Sequence, residues 1–462
     1  PSAGGQATTT CFGQTGDGTF CVDDGYHTFP GWVKNAAGHV TRYSHDYRLG
    51  VPLTETGPNG AGSTVIAGYD VFGRLTSLIR PGDDASSPTI QIAYYDTANP
   101  YYEEIRQKLD ASTTNVTRRF YDGMGRLILT HLAGAVLDVG VRTVMTHTLY
   151  EYNDIGLKVS RSMPYPTGNA WCMEHYCQPV SEIAVTMTQY DALGRVVWVK
   201  EPQDAVPGSY ALQVYYSVQP NCLKRTAGDT TASLPCQVTQ ETARNGETTT
   251  TNQNINGLTG RVQGPEGPAV AYYYDKMGRL VDAVYGTAVT HLVHDQGGRK
   301  TSQSDPDMGT WIYAYDALGN LIRQTDARGQ RICLYYDNLN RLTGKHYRSD
   351  DACPAQPDTY DIAFSYDSGS NGIGNRTGMT DGSGSTTWGY DARSRLIAET
   401  RNISGSGSFQ TQWTYNSANQ LHTIRYPANN AGGLGETVTY TYLPQMALNT
   451  VVGNSSYVSN TQ

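Results

Sequence analysis

Apolar and polar residues alternate in short runs along this chain, and turn residues separate the runs at a nearly constant interval. Trp311-Ile312-Tyr313-Ala314-Tyr315 is one such run, with the two-residue period of a β-strand. Asp316-Ala317-Leu318-Gly319 follows it. Asp316 stands where a type I turn favours Asp, whose carboxylate accepts backbone N–H groups. Gly319 stands where the chain must turn left-handed to form a bulge. The next strand opens at Asn320-Leu321-Ile322. Ten residues on, Asp326-Ala327-Arg328-Gly329 repeats the spelling, and Arg331-Ile332-Cys333-Leu334-Tyr335 forms the strand after it. Two strands and two turns thus fill about 21 residues, close to ordinary strand and hairpin lengths.

The same phrase recurs from end to end. Its clearest copies are Tyr69-Asp70 with Gly73, Tyr121-Asp122 with Gly125, Tyr190-Asp191 with Gly194, Tyr274-Asp275 with Gly278, and Tyr315-Asp316 with Gly319. Further starts fall at Tyr152, His294, Tyr336, Tyr366, Tyr390 and Tyr415. Asn340 and Asn419 replace the turn Gly, as expected of the residue next best at positive φ. Ser394 breaks that rule, and the copy Asn256-Gly257-Leu258-Thr259-Gly260 is one residue too long, so altered turns are expected at both. The spacing divides the chain into divergent β repeats over 1–68, repeats with insertions over 69–199, a cysteine-containing insertion over 200–253, and regular repeats over 254–462. A lone hairpin is marginal in water, so the units are stable only as an array. The expected class is all-β: stacked hairpins in one long sheet, with tyrosines aligned across neighbouring strands. Neither end looks like a cap, and the chain opens at Pro1, which together predict a fragment of something longer.

Composition fits this picture. Tyr is abundant, 34 against 7 Phe, and suits half-buried β-surfaces. The 50 Gly match a need for many tight turns. A net charge of -8 with no basic cluster argues against nucleic acid. No apolar run approaches the roughly 20 residues of a membrane span. The eight Cys form close couples: Cys11/Cys21, Cys172/Cys177, Cys222/Cys236 and Cys333/Cys353. Such couples are read as disulfides and an oxidising compartment. Cys172, His175 and Cys177 also offer three zinc ligands, but no second CxxC or HxxxH lies nearby.

Tyr-Asp-x-x-Gly-Arg-Leu at this period resembles the RHS/YD-repeat family, most clearly in the copies at 69, 121, 190, 274 and 315. The resemblance implies a β-sheet that spirals into a large hollow shell, secreted or displayed at a cell surface, which in toxin members encloses a toxic domain. The family's Asp-Pro-rich self-cleavage motif is not found. Asp305-Pro306-Asp307-Met308-Gly309 is only faintly similar, and repeats continue after it.

No residue is nominated for catalysis, cofactor or metal. The repeated Asp residues hold a fixed place in a turn, which makes them structural rather than paired catalytic carboxylates. The repeated Arg74, Arg126, Arg195 and Arg279 are expected to pair with the turn Asp of a neighbouring unit. Asp305 to Gly309 begins like a calcium loop, but its Gly falls at the fifth position rather than the sixth. Asn115, Asn375, Asn402 and Asn454 head glycosylation sequons. The function expected is a wall of a shell, tube or filament. The rival readings are a toxin cocoon and a glycan-binding adhesin. Partners would be further repeats, like subunits, glycans or an enclosed toxin domain, with no nucleic acid.

Overall fold

In the computed structural model the described residues are 7–12, 28–136, 143–167, 183–204, 209–224, 226–228, 231–349, 353–355, 357–428 and 432–459. They form one 36-stranded sheet with a single short 3-10 turn, Ala61–Ser63. No helix among them is long and apolar enough to cross a membrane. Each strand pairs antiparallel with the next, as in Gly309–Tyr315 with Leu321–Thr325 and Leu321–Thr325 with Arg331–Tyr336. One local exception is Tyr165–Thr167, which pairs back onto Thr143–Tyr152 beside Lys158–Ser162.

Because strand direction alternates, successive turns fall on opposite rims of the sheet. One rim carries the turns that follow Tyr, and is called here the Tyr-Asp rim. The far rim carries the intervening connections, such as 35–39, 57–63, 80–89 and 109–113. At the five clearest Tyr-Asp turns the register slips by one residue. Tyr315 faces Leu321, whereas Ala314 faces Arg323, the mark of a bulge in the return strand.

The sheet is a single layer with little core. It exposes 26662 Å², against about 17,000 Å² for a compact monomer of its mass. Fully buried apolar side chains are few. Leu109, Phe120 and Leu129 lie near one end, and Leu223, Cys236 and Val238 form a small cluster. Stability therefore rests on ladders and on turn-to-turn contacts.

Within 200–253, expected as a cysteine-containing insertion in the repeat, the described residues run on as strands of the sheet. Leu212–Leu223, Leu234–Ala243 and Thr248–Gln253 are consecutive strands of it. The Thr-rich run supplies β-branched side chains without the Tyr-Asp spelling, so it reads as strand only in place. The turn near 256 is regular, but its frame starts two residues earlier. The Asn254 carboxamide oxygen accepts the amides of Asn256 and Leu258, and Gly257 takes φ 78. Ser394 leaves its turn unaltered, at φ 58, with its amide on the Asp391 carbonyl at 2.9 Å.

Candidate functional site: the turn lattice and the spiral seam

The Asp of each phrase builds its own turn. In the five clearest copies its carboxylate accepts the amide two residues on, Phe72, Met124, Leu193, Met277 or Leu318, at 2.9 Å. The same oxygen accepts the amide four residues on, Arg74, Arg126, Arg195, Arg279 or Asn320, at 2.8–3.0 Å. Gly73, Gly125, Gly194, Gly278 and Gly319 take φ between 77 and 90. These bonds favour the ionised form. The Arg126 amide, then its side chain, holds Asp122 below the usual carboxylate range, and Arg279 does the same for Asp275.

Arg pairs within its own turn, and Arg74 also pairs as expected with the carboxylate of the next turn, Asp96, through two bonds of 2.8 and 2.9 Å. Arg74, Arg126, Arg195 and Arg279 each donate Nε to the Asp four residues back, at 2.6–2.8 Å. The i to i+4 spacing across a one-residue bulge puts the guanidinium directly over the carboxylate. Its outer nitrogens then reach onward. Arg279 Nη1 donates to the Asp295 carbonyl and Arg299 Nη1 to the Asp316 carbonyl, each one unit ahead.

Tyr completes the link between units. Tyr315 donates its hydroxyl to the Lys300 carbonyl at 2.8 Å, and Arg299 stacks over its ring. Tyr190, Tyr274, Tyr336, Tyr366 and Tyr415 make the equivalent bond to the strand after the preceding turn, at 2.8–2.9 Å. Tyr121 differs, donating to Glu103, which with burial raises its pKa to about 12. These six tyrosines therefore latch their units to the turn before, beyond any cross-strand alignment.

Cys222 is bonded to Cys236 and Cys333 to Cys353. Cys11 is disulfide-bonded. Cys21, Cys172 and Cys177 lie outside the described residues, and with them the zinc question. Among the described residues no three His, Cys, Asp or Glu cluster as a metal would need. Asp305 spends its carboxylate on the amides of Asp307 and Met308 and on the Thr290 hydroxyl.

The other assembled feature joins segments far apart in the chain. The Tyr-Asp rim of 367–446 lies against the far rim of 39–115, more than 300 residues earlier. His39 Nε2 is 3.5 Å from the Asp367 carboxylate. Asn59 and Ile373 exchange two bonds: the Asn59 amide group donates to the Ile373 carbonyl, and the Ile373 N–H donates to Asn59 Oδ1. The Ser417 amide donates to the Leu109 carbonyl, and Asn115 Nδ2 donates to the Pro444 carbonyl. Asn115, a sequon residue, is thus buried in this seam.

Asp83 and Arg393 form its centre. Arg393 Nη2 donates to Asp83 at 2.7 Å, Nε to the Pro81 carbonyl and Nη1 to the Ser417 carbonyl. Lys108 adds a second cation at 2.8 Å. Asp83 is 1% exposed and Arg393 8%. Burial pushes the Asp83 carboxyl up, but bonds from Lys108, Thr89, Ser417 and Arg393 outweigh it and bring the pKa down to about 2. A cleft of about 490 Å³ opens beside this centre between Pro58, Pro81, Ile373 and Arg393.

A sheet whose late turns rest on its own early connections is a spiral with one rim stacked on the other. Residues 315–352 match the family model of the RHS repeat. The fold agrees across nearly the whole chain. A solved structure of TcdB2-TccC3 aligns with TM-score 0.71 at 14% identity, over 94% of this chain and 25% of that one. TcdB2-TccC3 without its hypervariable C-terminal region aligns with TM-score 0.70 at 13% identity, over 96% of this chain and 28% of that one. The Photorhabdus luminescens Tc holotoxin pore aligns with TM-score 0.69 at 12% identity, over 92% and 26%. The chain spans about a quarter of the length of these structures. No curated protein sequence matches it. The chain is an all-β array with the fold of these structures, and its residues 315–352 match the RHS repeat.

Proposed function

We propose that this chain is a length of wall: a spiral RHS/YD sheet that separates an interior from its surroundings. The seam carries this reading. A flat ribbon has no use for a buried Asp83–Arg393 pair joining residues 310 apart in sequence. A wall needs that pair, because the gap between successive turns of a spiral is where it would leak. The repeated Asp, Arg and Tyr side chains are committed to turns and latches, so the wall itself is assigned no reaction. Disulfides support assembly in an oxidising, extracellular setting.

Electron microscopy of the purified chain tests the reading. A curved, hollow spiral with edge-stacked turns supports it, and an extended ribbon contradicts it. A second reading, a cocoon around a toxin domain, is favoured by the fold shared with TcdB2-TccC3. It predicts that the complete gene product shields an enclosed segment from added protease until the wall is unfolded.

A further inference from the structure

The cleft beside the seam centre is built by both turns of the spiral. Glu55, Val65 and Arg80 line it from the early strands, and Ile373, Ser394 and Asn419 from the late rim. At about 490 Å³ it has the size of a small-molecule site. Pro58, Pro81, Val65 and Ile373 supply apolar lining. Several of its polar groups are unengaged. Arg80 donates its backbone amide to the Thr89 hydroxyl, while its guanidinium has no hydrogen bond or ion pair among the described residues. Asn419 Oδ1 accepts from Arg393 and Arg395, which leaves Nδ2 free. Ser394 takes φ 58, where most copies of the phrase carry Gly or Asn. Ser suits that backbone poorly, and the turn makes no use of its hydroxyl.

Charge is unbalanced around the cleft. Arg393 and Lys108 share the single carboxylate of Asp83, and Arg395 is matched by Asp391. Arg80 is left over. Burial chiefly, with repulsion from Arg395 and Arg80, lowers the Arg393 pKa in spite of its bond to Asp83. Glu55 lines the same cleft on the other side of Val65 and forms no ion pair with Arg80. Glu55 and Asp83 set against Arg80, Lys108 and Arg393 leave one positive charge. A single negative charge balances it, whereas a dianion such as phosphate is repelled by Glu55.

We propose that this cleft binds a small organic monocarboxylate. Arg80 holds the carboxylate from one turn of the spiral, and Ser394 and Asn419 donate to it from the next. The proline, valine and isoleucine lining covers the apolar body of the acid. The site is split across the seam, so the bound acid ties the two turns together. It rests on the wall reading in that it needs the seam closed.

Saturation-transfer NMR of the full 462-residue chain tests this, with benzoate, cyclohexanecarboxylate and hexanoate each set beside its uncharged amide. At least one acid is expected to bind with Kd on the order of 1 mM or tighter, and its amide about tenfold more weakly or worse. Arg80→Gln should weaken that acid by about tenfold or more, with an unchanged circular dichroism spectrum. Ser394→Gly supplies the residue that suits the turn, so it should keep full stability and still weaken the acid several-fold. The proposal is overturned if none of the acids binds at about 10 mM, or if the amides bind as well as the acids. Tighter binding of inorganic phosphate, or undiminished binding in either variant, would overturn it equally. Edge-stacked turns seen by microscopy alongside any of these failures would leave the wall standing without its ligand.

Discussion

Gly319 sits at φ 90 with no heavy atom within 4 Å of where a Cβ would stand. Replacement there tests the backbone alone. Gly319→Val is expected to destabilise by about 1–3 kcal/mol, the cost of a β-branched residue at positive φ, and Gly319→Asn to be nearly neutral. Chemical denaturation of the two variants checks this. The Tyr latch makes a second prediction. Tyr274→Phe removes one hydroxyl-to-carbonyl bond and is expected to cost roughly 0.5–1.5 kcal/mol. Burial raises the pKa of Tyr274, Tyr336 and Tyr415 above the ordinary 10.0. A raised pKa means the folded chain keeps protons that the unfolded chain releases. Their contribution is full below pH 10 and falls away as pH climbs through the folded values. Unfolding temperature should therefore drop steeply above pH 10, and less steeply once several latches are Phe. The turn roles of Asp and Gly were legible in the sequence because both act within five residues. The partner of Tyr was not, since Tyr315 binds a carbonyl 15 residues back that only the hairpin register brings near.

The longest hairpin, Leu212–Leu223 with Leu234–Ala243, outreaches its neighbours on the Tyr-Asp rim. The Cys222–Cys236 bond closes its tip, and Leu223 packs against the backbone at Gly260. Replacing both cysteines by Ala removes a cross-link over a separation of 14 residues, worth about 3 kcal/mol in the chain-entropy account. The loss should be local. Hydrogen exchange is expected to accelerate across 212–243 and to stay unchanged in Gly309–Tyr315. The cysteine couples were visible as spacing. The strands between them were not, because Thr248–Gln253 has the side chains of a strand without the phrase that marked strands elsewhere. One substitution, Asn254 for Asp, was enough to displace the reading frame of the next turn.

The seam joins parts of the molecule that local pattern cannot connect. Its only trace in the sequence was negative: Arg393 and Ser394 depart from the phrase at the point where the rim becomes covered. Arg393→Ala leaves Asp83 buried with Lys108 and the Thr89 and Ser417 hydroxyls and is expected to loosen the seam by roughly 3 kcal/mol. Small-angle scattering should then show a larger radius of gyration, with little change in β content. Asp83 has a depressed pKa, so its contribution is complete above the ordinary 3.8 and disappears as pH falls through about 2. A wild-type seam should stay closed from neutrality down to that window. The spiral itself is tested most directly by one distance. Spin labels on Ala61→Cys and Ser370→Cys flank the Asn59–Ile373 contact and are both exposed. About two dozen strands separate them along the sheet, more than ~100 Å if those strands lay flat at 4.8 Å each. Pulsed electron resonance on the folded chain should give a narrow distribution near 20 Å, on the order of two adjoining turns plus label arms. A distribution beyond ~60 Å would mean that the early and late rims do not meet, and that the sheet is a ribbon rather than a wall.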